Sequence, residues 1–371
     1  HETIHTDDTS SFCRASLTYN QTSTKYKMNT WYQEGYLFDE FYKLDIPNVD
    51  YKRVADLCAV DNHPPFYFWM LHFFQSASIG GGPPIIAGYC LNLLFFVLNA
   101  IIFIRLSRVF IKSEKVVLFT LACYCLNTGT FQGHLYIRAY EFLCLLNCTV
   151  AYLIFSDFVS DKISIKKYFS IGIILMVFFL SHHYSIVFAG GLMGIVVFHY
   201  TLIKTDYFKL LNYSITYILA FLASLVVFPA SVSQLLGHNR GGRVINAASG
   251  GNDFTFYMDH AIMGIKKVGL FYQLPYVIVF ILIFWLLVRS VKHSNLKALK
   301  YFKQNIYIFY LLIYSFIVYA FLMIFSPAPL LRYVHAVIPF FILVFGYFFP
   351  TNILSMKKFL IFSVIYTSMT V

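Results

Sequence analysis

Charged side chains are scarce in this chain. They make up 12% of its 371 residues, whereas soluble globular domains typically contain about 25%. Hydrophobic residues reach 59% and aromatic residues 20%, so polar side chains are too few to cover a surface in water. This composition excludes an ordinary soluble protein and indicates that lipid forms part of the solvent around the fold.

Two further patterns are missing, and each absence argues against a class of protein. None of the seven cysteines belongs to a CxxC motif or to a Cys/His cluster with zinc spacing. The formal net charge of +11 comes from Lys and Arg in short loops between apolar stretches, without a basic run interleaved with polar residues. That placement argues against a nucleic-acid partner and is typical of a membrane topology signal.

Apolar stretches recur along most of the sequence and predict an all-α, polytopic transmembrane helical bundle. Several are shorter than the roughly 20 residues that a helix needs to cross the hydrocarbon core. We expect re-entrant or broken helices near residues 125–140 and 181–184. The ten or so candidate spans lie at about residues 85–104, 116–130, 138–156, 168–181, 184–203, 210–231, 268–288, 305–325, 334–350 and 359–371.

The N-terminal segment differs from the bundle in composition. Residues 1–63 are polar but too rich in Tyr, Phe and Trp to be disordered, so we expect a small folded piece with short helices. The apolar stretch 66–74 that follows is too short to span a bilayer and predicts an interfacial helix. The chain then divides into a first exterior loop with juxtamembrane helices, 1–83, and a transmembrane bundle, 84–371, with a larger exterior loop at about 232–267.

The distribution of Lys and Arg predicts the orientation of this integral membrane protein. One set of loops holds 16 Lys/Arg against four acids, and the rest of the chain holds 12 against 13. By the positive-inside rule the first set is cytoplasmic, so residues 1–63 face the periplasm, the extracellular space or a lumen. Translocating them requires an apolar segment, so we expect a spanning helix upstream of His1 and a continuation past Val371.

Acidic and imidazole side chains mark the exterior N-terminal segment. Asp7 and Asp8 are adjacent, and like charges at close range can raise the pKa of one carboxyl until it suits general-base work. Asp61 and His63 lie just before the interfacial helix. The alternative for both pairs is structural, because solvated acids and helix N-caps use the same residue types.

Arginine residues mark the outer ends of two predicted helices. Arg138 is followed by Tyr140 and Glu141, and Arg332 is followed by Tyr333. An arginine at this depth is costly unless it is paired or faces a wet cavity. Arg138 could pair with Glu141 one turn further on, or it could bind an anionic ligand such as a phosphate through its guanidinium fork.

Two histidines occupy another predicted outer helix end. His182 and His183 are adjacent, so on a helix they would point to different sides and make a poor metal pair. They could be interfacial anchors together with Tyr184, or they could contact substrate. A site at this face would meet amphiphilic substrates that arrive laterally from the lipid.

The order of these motifs resembles the GT-C membrane glycosyltransferases. The branch is that of the dolichyl-phosphate-mannose protein mannosyltransferases (glycosyltransferase family 39) and the aminoarabinose transferases of lipid A. There an Asp-Glu pair opens the first exterior loop and an Asp-x-His-Pro-Pro-Leu-Tyr-Tyr stretch closes it. This chain has Asp8 in place of Glu, and Phe66 and Phe68 in place of Leu and Tyr. The resemblance rests on Asp7–Asp8, Asp61–Tyr67, Arg138–Tyr140, His183–Tyr184 and Arg332–Tyr333 with Pro339.

The resemblance implies transfer of a sugar from a polyprenyl-phosphate donor to a lipid, glycan or protein acceptor, with inversion. It makes Asp7 the base, with Asp8 and Asp61 positioning the acceptor or tuning Asp7. Arg138 and Arg332 would hold the departing phosphate. Metal use stays open, with His63 and Asp61 as candidate ligands of a divalent ion, and the other substrate-binding candidates are Tyr140, Glu141, His182, His183 and Tyr333.

Two other functions are compatible with a membrane bundle. A transporter or lipid flippase would carry ionisable residues near the bilayer midplane and paired broken helices in inverted halves, and neither pattern is evident. Another cell-surface polysaccharide transferase or polymerase would share the lipid substrate but not the His-Pro-Pro arrangement.

Overall fold

A computed structural model describes residues 49–60, 63–77, 84–160, 164–237, 295–325 and 331–348, together with isolated residues at 11, 15, 255 and 259. Every regular element in these ranges is helical. Asp7, Asp8 and Asp61 lie outside the described residues, as do the predicted spans at 268–288 and 359–371. The helices are α1 Tyr51–Val60, α2 Phe66–Ala77, α3 Pro84–Phe110, α4 Glu114–Cys125, α5 Thr128–Leu135, α6 Tyr140–Ser160, α7 Ile165–Phe179, α8 Ser185–Phe198, α9 Tyr207–Val227, α10 Ala230–Leu236, α11 Asn295–Phe325, α12 Leu331–Val334 and α13 Ile338–Phe348.

Five of the described helices are long and apolar enough to cross a membrane, and they indicate a membrane protein. Helices α4 and α7, which correspond to two predicted spans, have only 12 and 15 residues. The count of about ten spans therefore stays a prediction. The third of them is α8 together with the π-helical turn His199–Ile203 that continues it. The five are Ile86–Phe110, Tyr140–Ser160, Ser185–Ile203, Tyr207–Val227 and Asn305–Phe325.

The helices break at both predicted places. Helix α4 ends at Cys125, and the short helix α5 begins after Asn127, whose side-chain oxygen accepts from the Thr130 N–H as an N-terminal cap (3.3 Å). The second break separates α7 from α8, where the Ser185 N–H donates to the His182 carbonyl in a tight turn (2.9 Å). Each break leaves a short non-helical segment close to a candidate site residue.

Helix α6 is the core of the bundle because neighbours cover it along its length. It runs parallel to α3, since Phe95 stacks on Phe142 near one end (ring centroids 4.5 Å apart) and Phe110 contacts Phe155 near the other (5.3 Å). Elsewhere, Gly191 lets α8 approach α11, because a Cβ there would lie 2.9 Å from the Tyr314 ring. The bundle thus has two ends, and the start of α6 defines the end that holds the candidate site.

The short helix predicted after His63 is confirmed as α2, which spans 12 residues; its interfacial position stays a prediction. Two hydrogen bonds attach it to the bundle. The Phe66 N–H donates to the Leu180 carbonyl at the end of α7 (3.0 Å), and the Tyr67 hydroxyl donates to Asn92 Oδ1 in α3 (3.2 Å). These bonds bring the segment that begins at His63 next to the break between α7 and α8.

Candidate functional site

Four separate segments meet at the end of the bundle where α6 begins, and they form an aromatic cluster. The cluster consists of His63, Tyr140, His182, Tyr184 and Tyr333. The His182 ring lies 6.0 Å from that of His63 and 5.7 Å from that of Tyr140 (centroid distances). Tyr333 in turn lies 6.0 Å from Tyr140 and 4.9 Å from Tyr184. Four predicted site residues, His63, Tyr140, His182 and Tyr333, are therefore neighbours in space.

Two arginines lie beside this cluster. The Arg332 guanidinium carbon is 5.9 Å from the centre of the Tyr140 ring and 5.6 Å from that of Tyr333, within the range of a cation–π interaction. Arg138 precedes Tyr140 by two residues, is largely buried, and lies close enough to the Tyr140 hydroxyl for a charge interaction, as Arg332 does. Two positive groups that are far apart in the sequence thus lie near the same tyrosine, Tyr140.

The turn that carries Arg138 is held by Asn92, which sequence reasoning missed. The Asn92 amide donates to the Tyr136 carbonyl (2.5 Å), while its side-chain oxygen accepts from the Tyr67 hydroxyl. The Arg138 N–H also donates to the Tyr136 carbonyl (2.7 Å). Asn92 therefore connects the conspicuous 61–67 motif to the Arg138 turn, and the only signal in the sequence was one amide within an apolar span.

Glu141 is completely buried. Its Oε2 lies 2.8 Å from Nε2 of His335, which is also buried. This pair joins α6 to the segment just after Arg332 and Tyr333. The pairing of Glu141 with Arg138 stays a prediction. A contact of Glu141 with substrate stays a prediction. His335 is a second residue that sequence reasoning missed, since its partner is 194 positions away.

The two adjacent histidines lie in the non-helical break between α7 and α8, not on a helix, and they have different partners. His182 Nδ1 accepts from the Tyr184 N–H (3.1 Å), so Nε2 carries the proton of the neutral ring. The Gln234 side-chain oxygen accepts a hydrogen bond from the His183 Nε2–H (2.9 Å). His182 therefore faces the aromatic cluster, whereas His183 is bound to α10.

Gln234 is a third residue that the sequence did not single out. Its amide nitrogen donates to the carbonyls of Cys58 (2.9 Å) and Ala59 (3.1 Å). These carbonyls belong to the last turn of α1, where backbone oxygens have no partner within the helix. Gln234 therefore bridges His183 to the end of α1. This helix ends at Val60, and the next residue in the sequence, Asp61, is the first of the most specific motif.

The environment of His183 predicts a pH-dependent contribution to stability. Burial lowers the pKa of His183 to about 4, against about 6.5 in an unfolded chain. Between these values the unfolded state binds a proton that the native state does not, so the free energy of unfolding falls as the pH falls, by up to about 3 kcal/mol. In thermal unfolding, the Tm of the wild type should fall between pH 7 and pH 4, and the Tm of His183→Gln should lack this fall. His182→Gln is the control, and an equal fall in all three proteins would contradict the assignment.

A second buried carboxylate lies at the opposite end of α6 and has its own partners. Asp157 Oδ2 accepts from the hydroxyls of Tyr200 (2.7 Å) and Tyr213 (3.0 Å). The predicted span 138–156 ended one residue before Asp157, and this boundary is wrong, because α6 continues to Ser160 and buries Asp157 completely. This group contributes nothing to the aromatic cluster and ties α6 to the π-helical turn that follows α8 and to α9.

No protein-family model matches the chain, and comparisons with curated proteins and with solved structures also give no match. The class is therefore defined by the described residues alone: an all-α membrane protein with a cluster of histidine, tyrosine and arginine side chains at one end of its bundle.

Proposed function

We propose that this chain is a GT-C-type glycosyltransferase that acts at the exterior face of its membrane. It moves a sugar from a polyprenyl-phosphate donor to an acceptor, with inversion. One observation carries the proposal. His63, Arg138, Tyr140, His182, Arg332 and Tyr333, which were selected from the sequence as one site, lie around the aromatic cluster although they come from four segments.

The two arginines support a phosphate as the leaving group. A lipid phosphate gains negative charge as its bond to the sugar breaks, so positive groups beside it stabilise the transition state more than the ground state. Arg332 packs against the faces of two tyrosine rings, which restrict its guanidinium. Arg138 follows a turn fixed by Asn92. A pre-positioned pair of this kind suits a dianionic phosphate better than it suits a neutral solute.

The proposed reaction needs one base. Asp7 takes the proton of the acceptor hydroxyl while the acceptor oxygen bonds to the anomeric carbon from the face opposite the phosphate. The bond between that carbon and the phosphate oxygen breaks, and its electron pair leaves with the polyprenyl phosphate. Asp61 positions the acceptor or tunes Asp7, and it follows α1 in the sequence, the helix whose end Gln234 holds.

The transporter alternative has less support in the described part of the chain. Such a protein would be expected to carry ionisable groups near the bilayer midplane. The two buried acids of α6 are instead its second residue, Glu141, and its fourth from last, Asp157. Each is bound to neighbouring helices, which is the behaviour of a structural contact.

The proposed chemistry is tested by donor turnover. Purified full-length protein is incubated with polyprenyl-phosphate sugars, and release of polyprenyl phosphate is followed for the wild type, Asp7→Asn and Asp61→Asn. Loss of a base should lower the rate by about 10²–10⁴-fold. Asp56→Asn is the matched control, because Asp56 is an exposed acid of α1 paired with Lys52. Absence of turnover with any donor, or full activity in both site variants, would refute the proposal, and ligand-dependent solute flux would favour a transporter.

A further inference from the structure

A buried group of metal-ligating side chains lies beneath the aromatic cluster, in the interior of the bundle. Glu141 and Cys144 are one turn apart on the same face of α6, and His335 comes from the segment before α13. A carboxylate oxygen, the thiol sulfur and an imidazole nitrogen all lie within 4.8 Å of one another. All three residues are buried. Oxygen, sulfur and nitrogen donors in one place form a set that zinc binds.

Asn99 of α3 is aimed into this group. Its Nδ2 lies 2.7 Å from the Tyr124 hydroxyl, 3.2 Å from Glu141 Oε1 and 3.1 Å from Cys144 Sγ. An amide nitrogen has only two hydrogens for these three neighbours, whereas the Asn99 oxygen is buried and has no hydrogen-bond partner among the described residues. The two ends of an amide are assigned from their surroundings. Turned over, Asn99 presents its oxygen to the group as a fourth donor.

Charge also favours a divalent ion at this position. A buried site is stable only when its charges are balanced. The Glu141 carboxylate and a Cys144 thiolate together neutralise one divalent cation, while His335 and Asn99 are neutral ligands. The His335 ring is held in place, because a side chain on Gly133 would collide with it. The 2.8 Å separation between Glu141 and His335 needs to grow only to roughly 3.3 Å for two ligands at about 2.0 Å from a tetrahedral ion.

We propose that Glu141, Cys144, His335 and Asn99 form a closed, structural site for a zinc-like divalent ion. These four residues are different from Asp61 and His63, the candidate metal ligands named from the sequence. Four protein ligands leave no open position for substrate, which is typical of structural zinc. The ion would cross-link α3, α6 and the segment after Arg332, and so keep the two arginine-bearing segments together. This inference does not depend on the proposed glycosyl transfer.

The test is the metal content of the purified full-length protein, measured by inductively coupled plasma mass spectrometry. The wild type should hold about one zinc-like ion per chain after dialysis. Cys144→Ser and His335→Gln should each lose most of it. Cys123→Ser is the matched control, because Cys123 is also a buried thiol in the bundle but is outside the set, and it should keep the ion.

A second measurement tests the cysteine ligand in the wild type, so that the proposal can be judged even if the variants fail to fold. Wild-type protein stripped with a chelator and reloaded with cobalt(II) should show thiolate-to-cobalt charge-transfer absorption, which requires a cysteine ligand. No bound ion in the wild type and no thiolate-to-cobalt band after reloading would overturn the proposal and leave a direct Glu141–His335 ion pair. Loss of the ion in Cys123→Ser to the same extent as in Cys144→Ser would overturn it as well.

Discussion

Replacing Arg138 with glutamine is expected to lower kcat/KM for the polyprenyl-phosphate donor by about 10²–10³-fold, the usual effect of removing one group that stabilises developing charge. The residue is largely buried beside Tyr140, in surroundings where a charge interaction is less screened than in water. Arg332→Gln should have a comparable effect. Release of polyprenyl phosphate at subsaturating donor gives the measurement.

Lysine should not restore the activity at either position. An ammonium group supplies the charge but not the planar fork that contacts two phosphate oxygens, and at position 332 it does not stack on Tyr140 and Tyr333 as a guanidinium does. Because both arginines would act on one phosphate, the double variant should lose less than the product of the single effects.

Arg108→Gln is the matched control for both arginines. Arg108 is an exposed arginine that pairs with Glu114 at the opposite end of the bundle (2.9 Å), so its replacement changes the net charge by the same amount without touching the cluster. If both site variants keep the wild-type kcat/KM, or if the control variant loses as much as Arg138→Gln, the proposed binding of the donor phosphate by these guanidinium groups is refuted.

Part of this fold follows directly from the sequence. The long apolar helices appear where hydropathy places them, because a run such as Tyr140–Ser160 has no other way to satisfy its backbone in lipid. The convergence of Tyr140, His182 and Tyr333 was also predictable in outline. Residues at helix ends on the same side of a bundle can be near neighbours, and the charge bias of the loops had already assigned them to one side.

The contacts that fix the site were not predictable in the same way. Asn92, Gln234 and His335 are single polar residues within apolar or unremarkable stretches, and nothing local distinguishes them from other buried polar groups. Their importance comes from partners far along the chain: Asn92 contacts Tyr136, and Gln234 contacts the end of α1. Which helices lie side by side decides these pairs, and that is a property of the packed bundle.

Breaking the Glu141–His335 pair from one side is expected to destabilise the protein by about 3–5 kcal/mol, because it leaves a buried ionisable group without its partner. His335→Leu should therefore be among the most damaging single substitutions in the described core. Replacing both residues with leucine should recover much of the loss, since an apolar pair has no charge to desolvate. Denaturant unfolding of the purified protein in micelles, with a chelator present, measures the pair without any bound ion.

A neutral contact between the same two segments supplies the comparison. The Asn147 amide donates to the Ala336 carbonyl (2.9 Å), and its side-chain oxygen accepts from the Tyr314 hydroxyl (2.8 Å). Asn147→Leu should cost about 1–3 kcal/mol, as expected for unsatisfied but uncharged groups. If the double leucine variant is no more stable than His335→Leu, the large effect comes from lost shape complementarity around α6 and not from an unpaired buried charge. If the double variant recovers stability and Asn147→Leu costs less, the opposite conclusion follows. The Glu141–His335 charge pair is then the contact that holds the Arg138 and Arg332 segments together.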